Sequence, residues 1–283
     1  MIKTFIAGIL IGVANIIPGV SGGTMAVSMG IYDKLIHAVT HLFQEFKKSC
    51  LFLLPVLIGA GAAIVALSRV IEFLFERYPL QTNLLFIGLI VGGLPAILRK
   101  VKGEKISMGN GLAFLLFFAL VVGMALMGEQ EEAQAVLSVE PVTMIKMLGV
   151  GVIAAATMVI PGVSGSMMLM LMGYYTPVIR EINGFTSSLA AFDMTGISRG
   201  FALLVPMGIG IVLGIFGIAK VIEIIFEKWP MLAYFAIIGL IVASPVAICL
   251  MSDFGQITAL SIVTGVIALA LGFVAALALG GEE

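Results

Sequence analysis

The sequence predicts an all-α polytopic membrane protein, and three observations lead to that class. Hydrophobic residues make up 61% of the 283 residues and charged residues only 11%, whereas an ordinary soluble domain is about 25% charged. The mean hydropathy is +1.20. The apolar residues come in long runs, without the alternating segments of roughly ten residues that strands of a membrane barrel need. A water-soluble globule is therefore excluded, and we expect one membrane domain over residues 1–283.

Eight apolar stretches supply the expected membrane helices, since a hydrocarbon layer of about 30 Å takes roughly 20 helical residues. The stretch at 83–98 is short unless its flanks contribute. The stretch at 4–31 would form about 42 Å of helix, too long for one upright span, and Pro18 and Gly19 near its middle predict a break. The stretches lie at residues 4–31, 51–68, 83–98, 111–128, 145–173, 201–219, 231–251 and 257–280.

Two repeated blocks indicate an internal duplication. Residues 17–36 align without gaps on residues 160–179, and eleven of the twenty positions are identical. Residues 69–79 match residues 220–230, including both glutamates and the final proline. The offset grows from 143 to 151 between the blocks, which predicts eight additional residues in a loop at 174–200. Two blocks in the same order predict two homologous repeats.

We place these repeats at residues 1–140 and 141–283, each with about three full spans and one broken helix. If both broken segments enter and leave by the same membrane face, the repeats are inverted. Ten Lys and Arg residues then lie on the cytoplasmic side and five on the other side. If both segments cross fully, eight spans result and the division is nine to six. The inverted arrangement with re-entrant helices is favoured, and its cytoplasmic residues are Lys3, Lys34, Lys47, Lys48, Arg99, Lys100, Lys102, Lys105, Lys220 and Lys228.

The repeated Pro-Gly-Val-Ser-Gly segments are the first candidate site. A half-helix that begins after each segment directs free N–H groups and a positive dipole end into the gap, and such paired breaks point to an anion site in a transporter. Glycine-rich kinks that let helices cross closely are the alternative. For Asn15, helix–helix bonding is as good an interpretation as ligand contact. The candidate binding residues are Asn15, Pro18, Gly19, Ser21, Gly22, Gly23, Thr24, Pro161, Gly162, Ser164, Gly165 and Ser166.

The second candidate is the duplicated basic and acidic block. Arg69 and Glu72 are three residues apart on a helix, as are Lys220 and Glu223, so each pair can share a face. Charges within or at the edge of a span are costly and indicate function. The cation can neutralise a bound phosphate, and the glutamate can carry a coupling proton or release a cation. The alternative is that these pairs only mark where a helix leaves the membrane.

The remaining polar residues exclude several other functions. A formal net charge of −1 argues against a nucleic-acid partner, and two cysteines make neither a disulfide framework nor a metal cluster. His37 and His41 have the spacing of a helical metal pair, but no zincin glutamate accompanies them and they fall in a polar loop. We therefore expect surface histidines, no metal and no cofactor.

At the two repeated blocks the sequence resembles the bacterial and archaeal membrane family of polyprenyl-phosphate transporters, and the resemblance covers nearly the whole chain. The second copy has Ser166 and Met167 where the first has Gly23 and Thr24, so a site built from both loops is asymmetric. The most specific parts of the resemblance are residues 15–24, 30–32 and 160–165.

The resemblance implies a flippase that returns undecaprenyl phosphate, the lipid carrier of envelope glycan synthesis, to the cytoplasmic leaflet of the cell membrane. The phosphate is then expected at the two loops, with Arg69 or Lys220 neutralising its charge while the isoprenoid tail stays in the lipid. Coupling to protons or sodium is a hypothesis suggested by Glu72 and Glu223.

Two other functions compete with this interpretation. A lipid phosphatase needs a nucleophilic histidine with Arg and Asp partners, or a metal. The two histidines of this chain do not offer that arrangement, so we predict that the protein is not an enzyme. An ion-coupled transporter of a small soluble organic anion would use the same half-helix design, and it is the alternative.

Overall fold

The computed structural model describes residues 2–16, 21–104, 107–127, 135–252, 254–255 and 257–280, without the side chains at 16, 65, 68, 69, 72, 279 and 280. These residues form helices and contain no β-strand, which confirms the all-α class. The helices are α1 (Ile2–Ile16), α2 (Gly22–Ser28), α3 (Tyr32–Thr40), α4 (Phe46–Arg77), α5 (Pro79–Lys100), α6 (Met108–Met127), α7 (Pro141–Val159), α8 (Gly165–Leu171), α9 (Tyr175–Ala191), α10 (Met194–Lys228), α11 (Pro230–Met251) and α12 (Ala259–Gly280).

Seven helices in the described part of the chain are long and apolar enough to cross a membrane, so the protein is a multi-pass membrane protein. They are α4, α5, α6, α7, α10, α11 and α12. The short apolar stretch at 83–98 is lengthened by its flanking residues, since α5 has 22 residues. The shorter α1 falls below this length, although it is apolar throughout.

Both predicted helix breaks are present. α1 ends at Ile16 and α2 begins at Gly22, while α7 ends at Val159 and α8 begins at Gly165. Each break is followed by the same series, a short helix, another helix, a helix of 32 or 35 residues with an internal proline, and two further helices. The duplication, its boundaries and its inverted orientation stay predictions.

The predicted loop at 174–200 is wrong, because most of it is helical. α9 has 17 residues where its counterpart α3 has nine, so the eight additional residues extend a helix. Pro177 did not prevent this, since it stands in the first turn of α9, where proline is tolerated. The helix ends at Ala191 and is capped by Phe192, which has a left-handed φ of 55°.

The described residues fall into two compact units. Unit 1 contains those of residues 1–128, 160–164 and 220–283. Unit 2 contains those of residues 129–159 and 165–219. The short segment 160–164, which carries most of the second Pro-Gly-Val-Ser-Gly segment, therefore belongs with the first segment in unit 1.

Glycines let the helices of unit 1 approach closely, as the composition predicts for helices in lipid. α1 lies on α4, α5 on α12, and α6 on α11. A Cβ added at Gly12 would overlap the backbone of α4, and one at Gly92 would overlap the backbone of α12. Gly239 of α11 meets the backbone of α6 at Phe114 in the same way. The pairing couples α5 and α6 of the first half to α12 and α11 of the second.

In unit 2, glycines likewise allow α7 and α10 to approach closely. Gly151 of α7 faces the backbone of Met207, and Gly210 of α10 faces that of Leu148. Its apolar core contains Met147, Val178, Leu203 and Met207. Outside this core, the Arg199 guanidinium pairs with Glu181 at 3.2 Å and donates to the Leu137 carbonyl at 2.9 Å.

Two glycines of α4 test whether close helix contact holds unit 1 together. Gly59 faces α1, where a Cβ would overlap the Phe5 carbonyl, whereas Gly61 has nothing within 4 Å of an added Cβ. We expect Gly59→Ala to destabilise the protein by ~1–3 kcal/mol through overpacking and Gly61→Ala to cause no loss. The thermal midpoint of the purified protein in detergent, followed by size exclusion after heating, measures both. Equal midpoints would contradict the account.

Candidate functional site

The first loop begins α2 with a side-chain cap. Ser21 is buried and extended, and its Oγ accepts a hydrogen bond from the Gly23 N–H at 3.2 Å. The same hydroxyl donates to the Ile160 carbonyl at 3.4 Å, which joins the first loop to the second. Serine is favoured here because its short hydroxyl satisfies an N–H that the start of a helix leaves unpaired.

Thr24 makes the tighter contact between the two loops. Its side chain is fully buried, and Oγ1 accepts a hydrogen bond from the Gly162 N–H at 2.6 Å. The two residues are 138 positions apart in the chain. A backbone N–H released by the second helix break is thus satisfied inside the protein, as a buried polar group requires. We call the contacts of Ser21 with Ile160 and of Thr24 with Gly162 the loop crossing.

Gly162 fits its place for two reasons. Its φ of +79° lies in the left-handed region, which favours glycine. An added Cβ would also meet the Leu240 carbonyl at 3.0 Å and Val121 at 3.3 Å. Next to it, Val163 is buried in an apolar cluster with Val121 and Leu240. The second loop is therefore anchored on α6 and α11.

The other predicted loop residues are placed as follows. The Asn15 amide lies over Gly22, where an added Cβ would meet its Oδ1 at 2.8 Å, so Asn15 is close to the crossing. Ser164 and Ser166 are half-buried, and each makes an interaction within the protein. Gly23, Pro161 and Gly165 are buried. Pro18 and Gly19 lie outside the described residues.

Lys220 and Glu223 form a second polar cluster, at the end of α3. Glu223 is 8% exposed and pairs with the Lys220 ammonium. Its Oε1 accepts a hydrogen bond from Thr40 Oγ1 at 2.9 Å and lies 3.1 Å from His41 Nδ1. We call these four residues the Glu223 cluster. The described hydrogen bonds and ion pairs of Glu223 are with the other three residues of this cluster, and the side chains of Arg69 and Glu72 lie outside the described part.

The expectation of surface histidines is confirmed for His37, whose side chain is 57% exposed, but the expected loop and the exposure of His41 are wrong. His37 lies within α3, and His41 caps the end of that helix. The two rings stack with centroids 4.1 Å apart, and the His41 side chain is only 26% exposed because it rests against Glu223. The ligating atoms of His37, His41 and Glu223 lie within 4.8 Å of one another, close enough to hold a metal ion.

A pocket of about 580 Å³ opens at another place in unit 1. Four basic side chains line it against one carboxylate, that of Asp33, so its lining carries a net charge of +3. We call it the basic pocket. Burial raises the pKa of the Asp33 carboxyl, and the nearby Lys100 opposes that rise in part. Its polar lining residues include Lys3, Tyr32, Asp33, Lys34, Arg99, Lys100 and Tyr234.

Sequence patterns indicated part of the basic pocket and, within the Glu223 cluster, the pair of Lys220 with Glu223. All four basic residues of the pocket belong to the predicted cytoplasmic set, but α1, α3 and α5 bring them together from distant positions. Thr40 and His41 reach Glu223 across 183 and 182 positions. No pattern among neighbouring residues indicates a contact between positions so far apart in the chain.

These features define a class, an all-helical multi-pass membrane protein with two interrupted helices whose loops cross in a buried polar contact. The chain belongs to the VCA0040-like family, described as undecaprenyl phosphate translocase-like, whose model matches residues 11–252. This confirms the family resemblance noted from the two blocks.

Two relatives carry the name polyprenyl-phosphate transporter. The protein of Vibrio cholerae serotype O1 (strain ATCC 39315 / El Tor Inaba N16961) is 30% identical over 213 residues, which cover 70% of this chain and 66% of the relative, just under two thirds. The protein of Staphylococcus aureus (strain NCTC 8325 / PS 47) is 28% identical over 245 residues, which cover 85% of this chain and 83% of the relative. No solved structure matches the chain significantly.

Replacing Thr24 tests whether the loop crossing supports the fold. Thr24→Val keeps the shape but leaves the Gly162 N–H without its acceptor, and an unsatisfied buried donor costs ~1–3 kcal/mol. We expect a clearly lower thermal midpoint for this variant in detergent. Thr24→Ser retains the hydroxyl and serves as the control. A Val variant as stable as the Ser variant would show that the contact contributes nothing.

Proposed function

We propose that this protein is a flippase that moves polyprenyl phosphate, undecaprenyl phosphate above all, from the outer to the inner leaflet of the cytoplasmic membrane for reuse of the carrier lipid. The loop crossing is the observation that carries the proposal, since it gathers polar donors among apolar helices. The names of the two relatives and of the family supply the substrate class. In this proposal the protein is a transporter and not an enzyme.

The physical task is to move one phosphate group through a region that excludes charge. An isolated charge in hydrocarbon is prohibitively costly, whereas a buried charge with hydrogen bonds and a counterion is tolerated. The isoprenoid tail has no such cost and stays in the lipid. The protein therefore needs to shield only the headgroup, and the two loops are the place where its apolar helices are interrupted by polar groups.

The loop crossing holds donors that a phosphate oxygen can accept from. The Gly162 N–H and the Ser21 hydroxyl now donate to protein acceptors, and the acceptor of the Gly162 N–H is the Thr24 hydroxyl oxygen. A phosphate that enters between the loops replaces those acceptors, so the crossing opens without leaving a donor unpaired. Arg69 and Lys220 are proposed to balance the phosphate charge.

The lining of the basic pocket supports the re-entrant path of the first broken helix. Lys3 of α1 and Gly30, just after α2, line the same pocket as Arg99 and Lys100 at the end of α5. The eight-span alternative puts Lys3 on the opposite side from the 99–105 segment. A common pocket for both ends of the α1–α2 segment favours entry and exit by one face, and the inverted repeat remains part of the proposal.

Transport in vesicles tests the function directly. A fluorescent short-chain prenyl phosphate is added to the outer leaflet, and we measure the fraction that becomes protected from an added phosphatase. We expect protection with the wild-type protein and about thirtyfold slower transfer with Ser21→Ala/Ser164→Ala, since two donors of ~1 kcal/mol each are lost.

The control variant for this experiment is Ser187→Ala, whose exposed hydroxyl bonds only within α9. Uptake of a soluble organic phosphate without movement of the prenyl phosphate would establish the alternative, a transporter of small soluble anions. Movement of neither compound would contradict transport of phosphates altogether.

The Glu223 cluster is proposed to couple transport to a proton or sodium gradient, with Glu72 as its counterpart in the first half. A nearly buried carboxylate that shares contacts with a histidine and a lysine has partners that change with its protonation. Protonation of Glu223 weakens its attraction for Lys220, which frees that ammonium for a phosphate.

Neutral variants test the coupling. Glu223→Gln, alone and with Glu72→Gln, should leave transfer of the prenyl phosphate measurable but insensitive to an imposed pH or sodium gradient. Glu227→Gln makes the same chemical change one turn further along α10, at an exposed position, and should behave as the wild type. Full response to both gradients in the double variant would remove this assignment.

A further inference from the structure

The basic pocket is separate from the residues to which the proposed function assigns the phosphate, and its composition indicates a ligand of its own. A lining charge of +3 in about 580 Å³ is a concentration of positive charge in a size range typical of ligand pockets. Arg99 and Lys100 are exposed. Lysine and arginine together suit phosphate oxygens, because arginine binds them in bidentate fashion and lysine acts as a point charge.

Neutral donors complete the lining. Tyr32 and Tyr234 line the pocket beside the cations, and a phenol donates a hydrogen bond to an anion as long as it keeps its proton. Burial and the neighbouring Asp33 raise the pKa of Tyr32, so its hydroxyl remains protonated at any physiological pH. Asp33 is the one lining group that opposes an anion.

Three of the four basic lining residues have no charged counterpart in the second half. With the offsets of the two repeated blocks, Lys34 aligns with Pro177, and Arg99 and Lys100 align with Leu250 and Met251, whereas Lys3 aligns with Lys146. A purely structural role in the repeated fold would not need those three charges, since the second half does without them. The charges therefore indicate a ligand that is bound at one face of the protein.

We propose that the basic pocket is a binding site for a phosphate monoester group. The ligand chemistry is shared by the headgroup of a prenyl phosphate and by free inorganic phosphate. The wall of the pocket includes Phe52 of α4, and its neighbours Leu51 and Leu54 are 64% and 58% exposed. An isoprenoid tail can lie along this apolar face while the phosphate stays in the pocket. The lipid source rests on the proposed function, whereas the phosphate site does not.

Direct binding to the full chain in nanodiscs of neutral phosphatidylcholine tests the site. The probes are farnesyl phosphate, farnesol and inorganic phosphate, and calorimetry gives their affinities. We expect Arg99→Gln/Lys100→Gln to weaken binding of farnesyl phosphate about tenfold or more, since two charge-assisted hydrogen bonds are lost. Asp33→Asn should strengthen it, because the opposing carboxylate is removed.

The matched control is Lys47→Gln/Lys102→Gln, which removes the same charge from exposed lysines outside the pocket lining. Wild-type affinity in this control supports the site, and an equal loss in both double variants overturns it. Farnesol that binds as tightly as farnesyl phosphate also overturns it. Inorganic phosphate that displaces farnesyl phosphate only in large excess assigns the site to the lipid, and displacement at equal concentration assigns it to free phosphate.

The vesicle assay separates this inference from the proposed function. If the wild-type protein moves no prenyl phosphate but its binding depends on Arg99 and Lys100, the function fails and the phosphate site stands. If it moves prenyl phosphate and binding is the same in both double variants, the site fails and the function stands. Equal thermal midpoints of the variants exclude unfolding as the cause of either result.

Discussion

Every backbone donor and acceptor that a broken helix releases inside a membrane protein must find a partner within the protein. Here each broken segment supplies hydrogen-bond partners for the other. The Gly162 N–H donates to Thr24, the Ile160 carbonyl accepts from Ser21, and Ser21 also caps α2. Without the first loop the Gly162 N–H would lose its acceptor, and without the second the Ser21 hydroxyl would lose its own; an unsatisfied buried group costs about 1–3 kcal/mol. The positions of α2 and of the second loop therefore depend on this exchange.

In the proposed function, the polar features of unit 1 have different roles toward a charged lipid. The loop crossing provides neutral donors, the Glu223 cluster provides a carboxylate between a lysine and a histidine, and the basic pocket provides positive charge. Under that proposal the headgroup passes between polar groups while the tail stays in the hydrocarbon, which avoids the cost of an isolated charge among lipid tails.

Much of the architecture could be predicted because it depends on short stretches of neighbouring residues. Hydropathy located the long helices, and proline and glycine in the repeated segments located both breaks. Residues 174–200 were wrongly predicted as a loop, because eight additional residues can extend a helix as well as form a loop. His41 was assigned to the surface because its partner, Glu223, follows 182 positions later. The basic pocket was missed for the same reason, since its lysines and arginine come from three separate helices.

The pairing of α5 with α12 and of α6 with α11 has a consequence for how the chain is made. α5 and α6 reach the membrane well before their partners have been synthesised, so the glycine-lined face of α5 at Gly92 first meets lipid or the insertion machinery. α12, which follows α11 in the chain, covers that face with the backbone of Phe273 and the side chain of Ala276. Packing of α5 within unit 1 therefore waits for the synthesis of α12, and loss of α12 would leave the glycine-lined face of α5 uncovered.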